Sequence, residues 1–400
     1  MPLEMNSFLY FLLFVLTVHE ILKAYVPIFG YEITSLVFML IFVLLFKQKI
    51  FRKTALSMPC VSFIALIIYH ILNCRVQVSS TELLASTGFN SYNTLWNAIF
   101  PNALALCLVP YLSHYDENKT NKYIKWAYIV YIILGTILLK TTGDASDRMK
   151  GGLIHPNQLA QGCGLGLMFF LYLKYRYGIS YKHLFLLSVI PILGIVMSTS
   201  RNGLSLVVIY FFSIWLAPMF KGRNSESQLK RIIPVVLLGV IAMFLLTWLM
   251  DNTEAGARLV DSDDTTVAEL QTGTVLDFLG ERAWYYYLGW MNFLANPWFG
   301  IGLWHFDTYN QYGLPLHTEY MIHIAEGGII GATLYFSFTI FILFKLVKRF
   351  VSTKTSVSFV LLMMFVSYLF VGITAREFYY TFFYPILGVI VYNISDNRIS

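Results

Sequence analysis

Charge is what this 400-residue chain has least of. Only 12% of its residues are Asp, Glu, Lys or Arg, about half the share typical of soluble domains. A water-soluble fold needs a polar shell, and 57% apolar residues with a mean hydropathy of +0.64 do not supply one. The chain is therefore read as an integral membrane protein. Cysteine is scarce too. The four present, Cys60, Cys74, Cys107 and Cys163, sit in or beside apolar runs without C-x-x-C spacing. That pattern is not a secreted disulfide framework, and it leaves packing as their role. The net charge of +6 is not a nucleic-acid signal, because the basic residues fall in short segments between apolar runs. The first apolar run lacks a basic n-region and an A-x-A-like site, so it reads as a retained span. No tandem repeat is visible.

What the chain does have is long apolar runs. Segments able to cross about 30 Å of hydrocarbon are expected at 8–27, 31–46, 56–73, 95–114, 123–140, 157–174, 184–200, 203–220, 232–250, 319–344, 356–374 and 379–394. The expected architecture is an all-α membrane protein of about twelve helices, divided as 1–250 (nine spans), 251–318 (one large loop) and 319–400 (three spans). Of the 28 Lys and Arg residues, 19 fall in the loops on the side of the termini. By the positive-inside rule, both termini face the cytoplasm and the 251–318 loop faces the periplasm or the exterior. This places the protein in the cytoplasmic membrane.

The 251–318 segment is long, and long loops tend to be functional or disordered. Its many Trp, Tyr, Phe and Leu residues argue against disorder. From about Val275 to Ala295 it reads as an amphipathic helix lying on the membrane or capping the bundle, ending at Asn296-Pro297. A Pro-x-x-Gly-x-Gly turn follows (Pro297, Gly300, Gly302). Ionisable residues without an anchoring role, His19, Glu20, Lys23, His70, His155, Arg201, His323, Glu326 and Arg376, gather at the outer ends of spans. Together they suggest a chamber open to the outer face.

Four short elements carry candidate chemistry. His155-Pro-Asn157 precedes the sixth span, where Asn157 suits an N-cap and the helix N-terminus favours anions. Arg201 lies in Ser198-Thr-Ser-Arg201-Asn-Gly203, between two spans, where the chain must reverse and Gly203 would permit it. A guanidinium there suits phosphate oxygens, or anchors the interface. Arg282 and Trp284 lie on the amphipathic helix. Arg282 could pair with Glu281 or Asp277, and the neighbouring Trp and Tyr could stack on sugars or form an interfacial belt. His317, just before the tenth span, can act as a base or a hydrogen-bond donor near neutral pH. Glu319, His323 and Glu326 fall at i, i+4 and i+7, which raises a metal site, although no second motif from another helix accompanies them. Asp261-Ser-Asp263 is a D-x-D, read as part of a solvated loop. Gly162/Gly166 and Gly327/Gly331 have the spacing of close helix packing.

In this order, the elements resemble the bacterial O-antigen ligase and O-antigen polymerase superfamily. HPNQLA, containing Asn157, is similar to its N-P-N-x-L-A element, and STSRNG to its T-x-S-R-x-G element. The stretch from Glu281 to Gly302 is similar to its Arg-containing loop helix followed by P-x-x-G-x-G. His317 with Glu326, Gly328 and Gly331 is similar to its H-N-x-x-L-x-x-x-x-E-x-G-x-x-G segment. The chain departs in having His155 for Asn and Thr318 for Asn. The resemblance implies a metal-independent glycosyltransferase without cofactors, acting on the outer face of the membrane. Its donor would be a glycan on undecaprenyl pyrophosphate, and its acceptor a sugar hydroxyl of lipid A core (ligase) or of a second lipid-linked glycan (polymerase). It further implies Arg201, Arg282 and His317 as catalytic residues, with Asn157, His155, Glu326 and Trp284 at the substrate. A membrane transporter or flippase is the alternative of another class, but inverted repeats and broken midplane helices are not visible.

Overall fold

The computed structural model describes residues 3–19, 21–22, 32–78, 91–137, 156–198, 200–220, 281–303, 305–306, 316, 318–373 and 380–395. These residues are 89% helical and contain no strand, as expected of an all-α chain. The helices are α1 (Leu3–Thr17), α2 (Glu32–Phe46), α3 (Lys49–Ala55), α4 (Met58–Val78), α5 (Ser91–Ile137), α6 (Pro156–Tyr177), α7 (Tyr181–Met197), α8 (Arg201–Leu216), α9 (Glu281–Ala295), the short α10 (Glu319–Met321), α11 (Gly328–Thr353), α12 (Ser356–Gly372) and α13 (Phe383–Ser395). The expected span 232–250 and the D-x-D at Asp261 lie outside the described residues.

Length and apolar composition qualify two described helices to cross a membrane, Asn202–Phe220 and Gly328–Thr353. Lys49–Ala55 and Met58–Asn73 form a further pair bent by 72°. With their composition, these helices mark an integral membrane protein. α5 runs through two of the expected spans and breaks between them at Asp116 (φ −154°, ψ 95°). There the Asp116 carboxylate accepts from the backbone N–H of Lys119 at 2.8 Å, capping the second half.

α5 and α6 form the centre. α5 packs against α1, α2 and α13, and α6 against α7, α8 and α12. α6 is buried along nearly its whole length, from Gln158 to Leu173. Its glycines make this possible. A methyl group at Gly162 would come within 2.3 Å of the Tyr131 ring, and one at Gly166 within 2.9 Å of Ile132. The expected packing role of this pair holds.

Contacts sort the helix ends into two sets. At one end, Arg176 forks onto Glu117 at 2.8 and 2.7 Å, and that carboxylate holds the guanidinium above its usual range. Burial pushes the neighbouring Tyr177 up to about 12. Ser356 donates to the Ala217 carbonyl at 2.7 Å, and Arg349 donates to the Asn393 carbonyl. This is the end bearing the basic loops. The other end holds Tyr69 and Asn73 against Phe299 and Glu326, and Thr318 beside Gly372.

Candidate functional site

The described part of the long loop docks on the chain entering α11. α9 ends at Ala295, just before Asn296-Pro297 as the sequence requires. The turn after it takes left-handed backbone at Gly300 (φ 68°) and Gly302 (φ 88°), conformations that suit glycine. The N–H of Ile301 donates to the Ala325 carbonyl at 3.2 Å, and that of Gly302 to the Glu326 carbonyl at 3.0 Å. In return Ile329 N–H reaches the Pro297 carbonyl at 2.7 Å. The two backbones touch so closely that a methyl group at Gly328 would lie 2.5 Å from Gly300 N.

The receiving segment, Ile322–Glu326, is a π-helical turn. This overturns the expectation that Glu319, His323 and Glu326 share one face. A π-turn adds a residue to the helical repeat, which rotates Glu326 away from the other two. Its carboxylate accepts from the Phe306 N–H at 3.2 Å. His323 instead binds Glu319 at 2.7 Å through Nε2 and His70 of α4 at 3.0 Å through Nδ1. All three of these side chains are fully buried, and Tyr335 stacks on the His323 ring at 4.2 Å. Among the described residues, no three His, Cys, Asp or Glu side chains converge as metal ligands do.

α4 supplies two further clamps. Tyr69 Oη donates to the Gly327 carbonyl at 2.6 Å and lies 3.0 Å from that of Phe299. Asn73 Nδ2 donates to the Phe299 carbonyl at 2.7 Å and lies 3.2 Å from that of Glu326. α12 holds the other side. Tyr286 of α9 donates to the Ile373 carbonyl at 2.9 Å, Thr318 lies 3.3 Å from the Gly372 carbonyl, and Tyr320 donates to the Leu369 carbonyl at 2.6 Å.

A second pair of elements meets at the same end. α6 and α8 run parallel, in contact where a methyl group at Gly203 would fall 2.6 Å from Ala160 Cβ and one at Gly164 2.4 Å from Leu206. Gly203 therefore serves close packing inside α8. The chain reversal that its sequence position suggested is made just before it, where Ser200 caps α8 by accepting from Gly203 N–H at 3.3 Å. Asn157 is likewise inside α6, not its cap: the helix begins at Pro156, whose fixed φ suits a first helical position.

Residues 184–336 match the family model described as O-antigen ligase. Over these residues the chain is similar to the O-antigen ligase family, in line with the resemblance its motifs carry. No curated protein matches it. The similarity supports, broadly, a role of the O-antigen ligase or polymerase kind in the membrane. The O-antigen ligase match contains Arg201, Arg282, Trp284, His317 and Glu326; His155 and Asn157 precede it.

Of the residues expected at the ligase site, Glu326 is placed in the π-turn and Asn157 in the first turn of α6. Arg201 is the first residue of α8, and Arg282 and Trp284 are in the first turn of α9. The side chains of these last three lie outside what is described. His155 and His317 are outside the described residues, although Thr318 is placed beside the end of α12. The sequence reading missed Tyr69 and Asn73, which carry no charge, and His305, buried just after the glycine turn. The signal for His305 was its place three residues past Gly302. Tyr69 and Asn73 had only their nearness to His70.

Proposed function

We infer that the protein is an outer-face glycosyltransferase of the cytoplasmic membrane. In this reading it moves a glycan from undecaprenyl pyrophosphate to an acceptor sugar hydroxyl, in the O-antigen ligase manner of lipopolysaccharide assembly. One observation supports it above the others. Thr318, next to His317, and Tyr286, one turn past Arg282, both bond the last residues of α12. α12 begins against Ala217, beside the far end of α8, and returns along α6 and α8. The first residue of α8, Arg201, then belongs to the same end as the loop helix and Thr318.

The chemistry follows from that convergence. The acceptor oxygen attacks the anomeric carbon, its bond to the pyrophosphate oxygen breaks, and undecaprenyl pyrophosphate leaves with the electron pair. Arg201 and Arg282 bind the pyrophosphate and offset the charge it gains. His317 contacts the pyrophosphate or takes the acceptor proton. Asn157, His155, Glu326 and Trp284 border the substrate. No metal is assigned a role. An apolar groove of about 840 Å³ along α11, bordered by Trp290, Phe293, Ile324 and Phe344, offers the polyprenyl tail a path from the bilayer.

Replacing Arg201 or Arg282 with Ala should lower transfer about a hundredfold or more while the protein still inserts and folds. Wild-type rates in both variants would remove them from the mechanism. EDTA should leave the purified reaction running, and a strict metal requirement would overturn the metal-independent reading. In a deletion strain, long lipid-linked chains without chains on lipid A core would identify a ligase. A single attached repeat unit with the ladder lost would identify a polymerase, joining lipid-linked units of O-antigen, capsule or exopolysaccharide.

A further inference from the structure

The crossing of α6 and α8 holds two buried amides that the protein itself does not satisfy. Asn202 is 5% exposed and Gln161 1% exposed. Neither Nδ2 nor Oδ1 of Asn202, nor Oε1 of Gln161, makes a hydrogen bond. Such groups normally find partners within the protein or in a ligand or ordered water.

Helix geometry puts both on the same flank. The helices are parallel, with Ala160 and Gly164 facing Gly203 and Leu206. At 100° per residue, the residue after Ala160 and the residue before Gly203 both turn off the contact in the same direction. The opposite flank belongs to α7, where a methyl group at Gly194 would meet Cys163 at 3.1 Å and where Ile195 approaches Gly203. The amide flank faces α12, which touches both α6 and α8. The far end of α12 is where Tyr286 and Thr318 are held.

We propose that this flank is a saccharide subsite in which Asn202 and Gln161 hydrogen-bond the sugar attached to the donor's pyrophosphate. The proposal rests on the transferase reading above, which puts the pyrophosphate at Arg201, the residue before Asn202. The chemistry of the orphaned atoms selects the ligand. Oδ1 and Oε1 accept, so they need donors. A deprotonated phosphate has none and could satisfy only Nδ2. Sugar hydroxyls, or the N–H of an acetamido sugar, both donate and accept.

The test uses the full chain in lipid nanodiscs, wild type beside Asn202→Leu and Gln161→Leu. The probe is the free oligosaccharide released by mild acid from the host's own lipid-linked glycan, with inorganic pyrophosphate as the second ligand. Each variant should bind the saccharide on the order of tenfold more weakly and pyrophosphate as tightly as wild type. The melting temperature of the free protein should stay level or rise, because an apolar side chain removes an unmet polar group. Unchanged saccharide binding in both variants would overturn the subsite and leave the amides holding water only. Loss of pyrophosphate binding with saccharide binding retained would overturn it as well. If the leucine variants fail to fold, Asn202→Ser, which drops the amide and keeps a small polar group, gives the same comparison. A wild type that binds the saccharide but transfers nothing would sink the transferase reading and leave the subsite standing. Normal transfer with unaltered KM in the variants would do the reverse.

Discussion

Two regions at the same end of the molecule solve opposite problems. Where the glycine turn meets the π-turn, polar groups are satisfied by neighbours: Tyr69 and Asn73 reach backbone carbonyls, Glu319 holds His323, and Glu326 holds the Phe306 N–H. Where α6 meets α8, the contact is made by glycines and alanine, and the amides beside it are left unmet. The first region is a fixed scaffold, built tightly enough to carry an incoming loop. The second keeps hydrogen-bonding capacity in reserve. A binding enzyme needs both, because a site whose polar groups are all internally satisfied has nothing left to recognise with.

The contrast can be broken from the scaffold side. Gly328→Val should be the most damaging change, because it puts a branched side chain on left-handed backbone, where its Cβ would fall 2.5 Å from Gly300 N. A loss of roughly 3 kcal/mol or more is expected, read as a collapse of folded yield and melting temperature in detergent. Glu319→Ala comes next. It strips His323 of a buried partner and should cost about 2–4 kcal/mol, whereas Glu319→Gln, whose amide oxygen still accepts, should recover most of that. Equal melting temperatures for the two variants would mean the contact is not made. Tyr69→Phe removes one hydrogen bond and should cost about 1 kcal/mol. The smallest effect belongs to the other region. Ser200→Ala removes the cap of α8 for about 1 kcal/mol or less, and because it leaves Gly203 seated on Ala160, thermal unfolding should barely register it.

The sequence made the scaffold's position legible more readily than its construction. The left-handed glycines were readable from Pro297-x-x-Gly300-x-Gly302, and the end of α9 from Asn296-Pro297, because each rests on local backbone chemistry. The order Asn157, Arg201, Arg282, His317 pointed to the superfamily before any contact was known. The π-turn was not legible, since Glu319, His323 and Glu326 have ordinary α-helical spacing and only the docked loop shows the extra residue. The pairing of His70 with His323 joins positions 253 residues apart, a distance across which no local pattern speaks. Asn202 and Gln161 look like ordinary polar residues until their burial is known. Gly203 was assigned to a chain reversal because its closest neighbour, Ala160, lies on another helix.

The π-turn has one more consequence. An extra residue in a helix shifts everything after it by about 100° around the axis. In α11, Ile329, Ile340, Phe344, Val347 and Val351 are exposed, an apolar stripe suited to hydrocarbon. The added residue and the left-handed Gly328 (φ 61°) that follows it set the phase of that stripe against the turn that receives the loop. The bilayer-facing helix and the loop-facing turn before it thereby keep separate orientations. Deleting a single residue between Ile322 and Glu326 would rotate one against the other, although every side chain needed for either remained in the chain.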